Sequence, residues 1–140
     1  MKLLHVLPRI PFPADSGGTQ RALQLLRDLD AAFEVTVLAP DLPGADVRGL
    51  RSELRGRVVT ARESGGALGG FCAEAGGVLR GAPIGYGRYA GRHLRAMFRH
   101  LLAEGPVHVV HFDHLHAAQL LPDARAVAPG ARVVMDAHNV

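Results

Sequence analysis

The sequence predicts an α/β fold, a doubly wound parallel sheet of about five strands with helices on both faces. Three observations predict it. Short, nearly continuous apolar runs alternate with stretches whose apolar residues recur at helical spacing. The runs lack an in/out alternation, as strands buried on both faces of a parallel sheet require. Proline and glycine punctuate the joints, and 140 residues suit one domain around one core.

Residues 2–7 form the first run (Leu3, Leu4, Val6 and Leu7), and Pro8 stops it. Beyond a loop rich in proline and glycine, Ala22, Leu23, Leu25, Leu26 and Leu29 repeat at helical spacing. Residues 35–39 are the second strand, closed by Pro40, and residues 57–61 the third. Residues 88–103 read as a long helix with Leu94, Met97, Phe98, Leu101 and Leu102 inward. Gly105 and Pro106 end it. Residues 107–111 then make strand four, residues 116–121 a short helix stopped by Pro122, and residues 132–136 strand five. Between strands three and four, residues 65–91 are crowded with glycine. Residues 67–79 allow a helix there, although each interior glycine costs ~1 kcal/mol against alanine. The stretch reads either as a mobile crossover that shapes itself around a ligand or as a loosely packed surface connection.

Composition narrows the function. With 48% hydrophobic residues and a net charge of only +3, the chain is not disordered. No apolar run approaches the ~18 residues of a spanning helix, and Pro8 and Arg9 cut short a start that imitates a signal peptide. A single cysteine, Cys72, excludes an internal disulfide framework and fits a reducing, cytoplasmic compartment. Lys2 is the only lysine, so the basic charge is arginine. Nucleic acid is not the expected partner, because no Trp, two Tyr and five Phe leave few stacking platforms. An anionic lipid surface or a phosphorylated small molecule suits the charge better.

In doubly wound sheets ligands bind at the carboxyl ends of strands, near the point where strand order reverses. Three segments occupy such positions. The loop after strand one runs through Asp15, Ser16, Gly17 and Gly18, with Ser16 or Gly17 opening a helix. Two glycines there let backbone N–H groups approach a phosphate, helped by the helix dipole. The third glycine of a dinucleotide fingerprint and the Lys-Ser/Thr of a P-loop are both missing; an ordinary N-cap is the plainer alternative. After strand four comes His111-Phe112-Asp113-His114-Leu115-His116. Imidazole and carboxylate suit zinc, yet the order departs from the His-x-His-x-Asp-His of metal-dependent hydrolases, and no metal is expected. Hydrogen bonding to sugar hydroxyls or to an acceptor is the preferred role, with His108 a core or face residue of the strand. After strand five, Asp136, His138 and Asn139 bring hydrogen-bonding groups to the crevice mouth, or else form an N-cap and a turn. Finally, Arg88, Arg92, Arg95 and Arg99 make one basic stripe, and Arg48, Arg51 and Arg55 a shorter one. Such a face docks on anionic headgroups or is simply solvated.

These residues together resemble the N-terminal half of a GT-B glycosyltransferase of the retaining family 4 type. The resemblance spans the chain: the start through Pro13 with Asp15-Ser16-Gly17-Gly18, the segment from Val109 to His114, and the ending from Met135 to Val140. It implies two Rossmann-like domains facing across a cleft, with the acceptor held mainly by this one and a nucleotide-sugar donor by the other. It implies that Gly17 and Gly18 lie near the donor diphosphate and that His138 is the catalytic histidine facing the donor sugar. Asp15, His111, Asp113, His114 and Asn139 would line the acceptor side of the cleft. The acceptor would be a glycan or lipid-linked, at the cytoplasmic membrane face. It further implies retention of configuration and no metal or other cofactor. The C-terminal domain with its Glu-x7-Glu signature is absent from the sequence, as are one or two strands usual beyond the fifth. The chain therefore reads as a truncated domain, inactive alone. Two rivals stand beside this reading: a non-catalytic module binding a phosphorylated metabolite in the same crevice, and a zinc hydrolase built on His111, Asp113, His114 and His116.

Overall fold

Strands that are apolar on both sides need cover on both sides, and the chain supplies it with helices. The computed structural model describes residues 1–62, 66–79 and 91–137. Strands β1 (Lys2–Val6), β2 (Glu34–Pro40), β3 (Arg57–Ala61), β4 (Val109–Asp113) and β5 (Arg132–Asp136) form one sheet in the order β3-β2-β1-β4-β5. Every neighbouring pair is parallel; His5 is in register with His111 across β1 and β4, and Asp113 with Asp136 across β4 and β5. The helices are α1 (Gly17–Ala32), α2 (Val47–Glu53), α3 (Gly66–Leu79), α4 (Arg92–Ala103) and α5 (Leu121–Val127). This is the doubly wound, Rossmann-like α/β architecture that the alternating pattern predicts.

The core has two layers, one per face. Leu3, Leu7, Val35, Val37 and Val109 pack against Leu23 and Leu26 of α1 and Leu50 of α2. Leu4, Val6, Leu38, Val110 and Phe112 pack against Leu94, Phe98 and Leu101 of α4 and Ala124 of α5. Phe98 and Phe112, both fully buried, meet with ring centroids 5.9 Å apart. Each such side chain contributes ~1.5–3 kcal/mol on burial. Because successive strand residues point to opposite faces, His5, His111 and Asp113 share the α1 face with Leu3 and Val109.

Several sequence expectations shift. Strand four runs from Val109 to Asp113, not over residues 107–111. Its five residues are all buried, so His111 sits at the strand's centre and Asp113, expected in the segment beyond it, is the strand's last residue. His108 accordingly precedes the strand and is exposed, its Nδ1 accepting a bond from the Lys2 N–H at 3.1 Å. The short helix expected over residues 116–121 is a 3-10 segment, Leu115–Leu120, that continues into α5. Pro122 lies in the first turn of α5 rather than stopping a helix, since a first-turn proline forfeits no helical hydrogen bond. Helix α2, unpredicted, is capped by Asp46, whose carboxylate accepts from the Gly49 N–H at 2.8 Å. Helix α4 begins at Arg92 after Gly91, and Arg88 lies outside the described residues. Of the glycine-rich crossover, residues 66–79 are helical as the sequence allows, with Phe71 and Leu79 exposed; residues 80–90 lie outside the described residues.

Candidate functional site

The strand order reverses between β1 and β4. The chain leaves β1 towards β2 and leaves β4 towards β5, which opens a crevice above their adjacent carboxyl ends. A cleft of about 480 Å³ lies there, lined by Arg9, Ser16, Gly17, Gly18 and Arg21 from the β1 side and by Asp113 and His114 from β4. Two of the three predicted segments are thus neighbours, although almost a hundred residues separate them in the chain.

Ser16 makes the local structure on the β1 side. It stays extended (φ −136°, ψ 160°) and forms a capping box in which Thr19 replaces the usual glutamate. The Ser16 N–H donates to Thr19 Oγ1 at 3.0 Å, and the Thr19 N–H donates to Ser16 Oγ at 3.4 Å. Asp15 is drawn into this cap, its carboxylate accepting from the Thr19 hydroxyl at 3.5 Å. The first turn of α1 contains no acidic residue, so its partial positive charge is not neutralised from within the helix. A side chain at Gly17 or Gly18 would meet nothing within 4 Å. What glycine provides here is open approach to the backbone.

On the other side, Asp113 is buried at the end of β4, and His114 follows with φ 83° and ψ 148°. That conformation is close to glycine-only and costs of order 1–3 kcal/mol in any other residue. Two backbone bonds hold it: the His114 N–H donates to the Asp136 carbonyl at 2.9 Å, and the His114 carbonyl accepts from the Ala117 N–H at 3.1 Å. The half-buried His114 ring lies against His116, with Nδ1 atoms 2.5 Å apart and centroids 4.3 Å apart. The third predicted segment reaches the rim through Asp136, whose carboxylate meets the Arg21 guanidinium of α1 at 3.1 Å. His138 and Asn139 lie outside the described residues.

His111 is not among the residues lining the cleft. It is buried within the sheet, stacked on His5 with centroids 4.7 Å apart and Nδ1 atoms at 2.8 Å. Burial first, and the neighbouring His111 second, lower the His5 pKa from 6.5 to about 3. The sequence reading passed over His5; only the pairing of β1 with β4 makes it a partner of His111. The four residues of the zinc reading therefore do not converge, since His111 turns to His5 while His114 and His116 turn to each other. Among the described residues, no group of three or more His, Cys, Asp or Glu is arranged to hold a metal ion.

The arginine stripe divides. Arg92 and Arg99 are exposed, but Arg95 is half-buried and paired with the buried Asp123 carboxylate, which Arg99 also approaches at 3.8 Å. Of the stripe that reads either as membrane-facing or as solvated, Arg95 is committed to holding α5 on α4. Among the described residues, no helix is long and apolar enough to cross a membrane. A second cleft, of about 390 Å³, opens at the amino ends of the strands. There Arg57 is paired with Glu104 at 2.6 Å and Lys2 with Glu34 at 3.6 Å.

No family model matches the chain, and no curated protein matches it.

Proposed function

We propose that this chain is the acceptor-side, N-terminal domain of a glycosyltransferase that moves a sugar from a nucleotide-sugar donor to a glycan or lipid-linked acceptor. The observation that carries the proposal is the cleft at the strand-order reversal. Its lining brings Gly17, Gly18, Arg9 and Arg21 together with Asp113 and His114. Amides at the start of α1, with no acid in the first turn, suit a diphosphate; Arg9 and Arg21 add positive charge. Asp113 and His114 suit the hydroxyls of a sugar. In this reading the Gly17 and Gly18 amides stabilise charge developing on the leaving diphosphate, so that no metal is needed. His138 and Asn139 would contribute at the reacting centre, as the resemblance implies. A donor-side domain supplies the remaining grip on the nucleotide. The arginine stripe supports no separate membrane reading.

The test is a titration of the isotopically labelled chain, following backbone amide resonances. A nucleotide sugar, inorganic pyrophosphate and a simple glycan are added in turn at millimolar concentration. The expected result is a perturbation of Ser16 to Thr19 and of His114 for pyrophosphate and nucleotide sugar, extending to Asp113 only with sugar present. Pyrophosphate acting alone, with the sugar adding nothing, favours the phosphometabolite-binding module. No response at either segment overturns both readings.

A further inference from the structure

We propose that His116 is a positioning residue that sets the tautomer of His114, so that His114 offers its Nε2–H to an oxygen atom of the ligand in the cleft. The inference rests on the reading of the cleft as a site for an oxygen-rich ligand, and goes beyond it in assigning a residue outside the cleft lining.

Two independent observations carry it. The first is the backbone of His114. At φ 83° and ψ 148° the position favours glycine, yet it holds an imidazole, so the side chain must be what repays the strained conformation. Its bonds to Asp136 and Ala117 are made by main-chain atoms and would serve a glycine as well. The second is the contact between rings. With Nδ1 atoms 2.5 Å apart, only one proton fits between His114 and His116, and one ring must donate while the other accepts. The two tautomers are therefore complementary: whichever ring carries the proton on Nδ1 dictates Nε2–H for the other.

The chemistry of the cleft selects between the two arrangements. Gly17 and Gly18 amides, Arg9 and Arg21 are all hydrogen-bond donors, so the fitting ligand is rich in acceptor oxygens. With Nδ1 engaged by His116, the donor that His114 adds to this set is Nε2–H, which requires His116 to hold the shared proton on its own Nδ1. Asp113, the acceptor beside it, then meets hydroxyls that His114 cannot. The other histidine pair makes a useful contrast. His5 and His111 repeat the Nδ1 contact inside the sheet, where neither ring lines the cleft and His5 is fully buried.

Imidazole nitrogen spectra of the full chain at pH 7.5 test the assignment. The expected result is a predominantly Nε2–H tautomer for His114 and Nδ1–H for His116. In His116→Ala, His114 should relax to a tautomer mixture and the affinity for inorganic pyrophosphate should fall about tenfold. His116→Asn, whose amide donates from near the same place, should restore most of it with the thermal midpoint unchanged. His114→Gly should raise the thermal midpoint while losing the response. A wild-type response to pyrophosphate that survives His116→Ala, or His114 found as the Nδ1–H tautomer, overturns this inference alone. No wild-type response to pyrophosphate or to a nucleotide sugar overturns the reading of the cleft and this inference with it.

Discussion

Buried imidazoles make stability depend on pH, and the sign follows from where the proton goes. His5 takes up a proton at about pH 3 when folded, against 6.5 for an unperturbed group, because burial opposes its charged form. Between those values the unfolded chain binds more protons, so stability is full above pH 6.5 and is lost as pH falls towards 3. From pH 7 to pH 5 the loss from this group is about 2 kcal/mol. Urea melts at the two pH values should show it, and His5→Leu should narrow the difference by about that amount. An unchanged acid dependence in the variant would place the effect elsewhere. Glycine at the start of α1 makes the opposite kind of prediction. Gly18→Ala meets no neighbour, so it should raise stability by about 0.5–1 kcal/mol through the unfolded chain. Binding of pyrophosphate should nonetheless weaken, because a methyl group then stands before the amides. The Ser16 cap was legible in the sequence, since capping is decided within a few residues. The His5 pair was not, because it exists only once β1 and β4 are adjacent.

At the scale of elements, buried carboxylates join segments that hydrophobic packing alone would leave loosely placed. Asp30, near the end of α1, accepts from the backbone N–H of Arg55 at 2.8 Å and of Gly56 at 2.9 Å, and also takes the Arg55 side chain. It thereby fixes the turn that leads into β3. Gly56 has no room for more than hydrogen, since a methyl group would fall on the Val35 carbonyl oxygen. Asp30→Ala would leave two part-buried backbone donors without their carboxylate, and chemical denaturation should show a loss of about 1–3 kcal/mol. A loss under 1 kcal/mol would mean that water replaces the carboxylate. Asp123 plays the same part between α5 and α4 through Arg95. Element boundaries were the least legible level. Pro122 was read as a stop because proline breaks helices in their interior, and its tolerance in a first turn depends on where the preceding 3-10 segment ends. The bounds of strand four shift by two residues, because a central parallel strand buries the polar His111 and Asp113 with the rest.

For the whole molecule, the doubly wound architecture was legible because near-continuous apolar strands separated by helices have few other packings. The order β3-β2-β1-β4-β5 was not, although it alone brings Gly17 and Asp113 to one cleft. The proposed function carries a prediction at this scale. If transfer needs donor and acceptor held across two domains, the orientation that supplies much of the rate is missing from the 140-residue chain. Nucleotide-sugar hydrolysis and transfer assays should then detect no turnover, and turnover by this chain would refute the division of labour. One further consequence comes from the bond between Arg21 and Asp136. The guanidinium that tethers the tip of β5 also stands at the entrance to the cleft. An incoming anion must bid against that carboxylate for the same cation, so filling the site slackens the tie between the first helix and the outermost strand. Occupancy above the two central strands would then be felt as loosening at an edge of the sheet, with no hinge required.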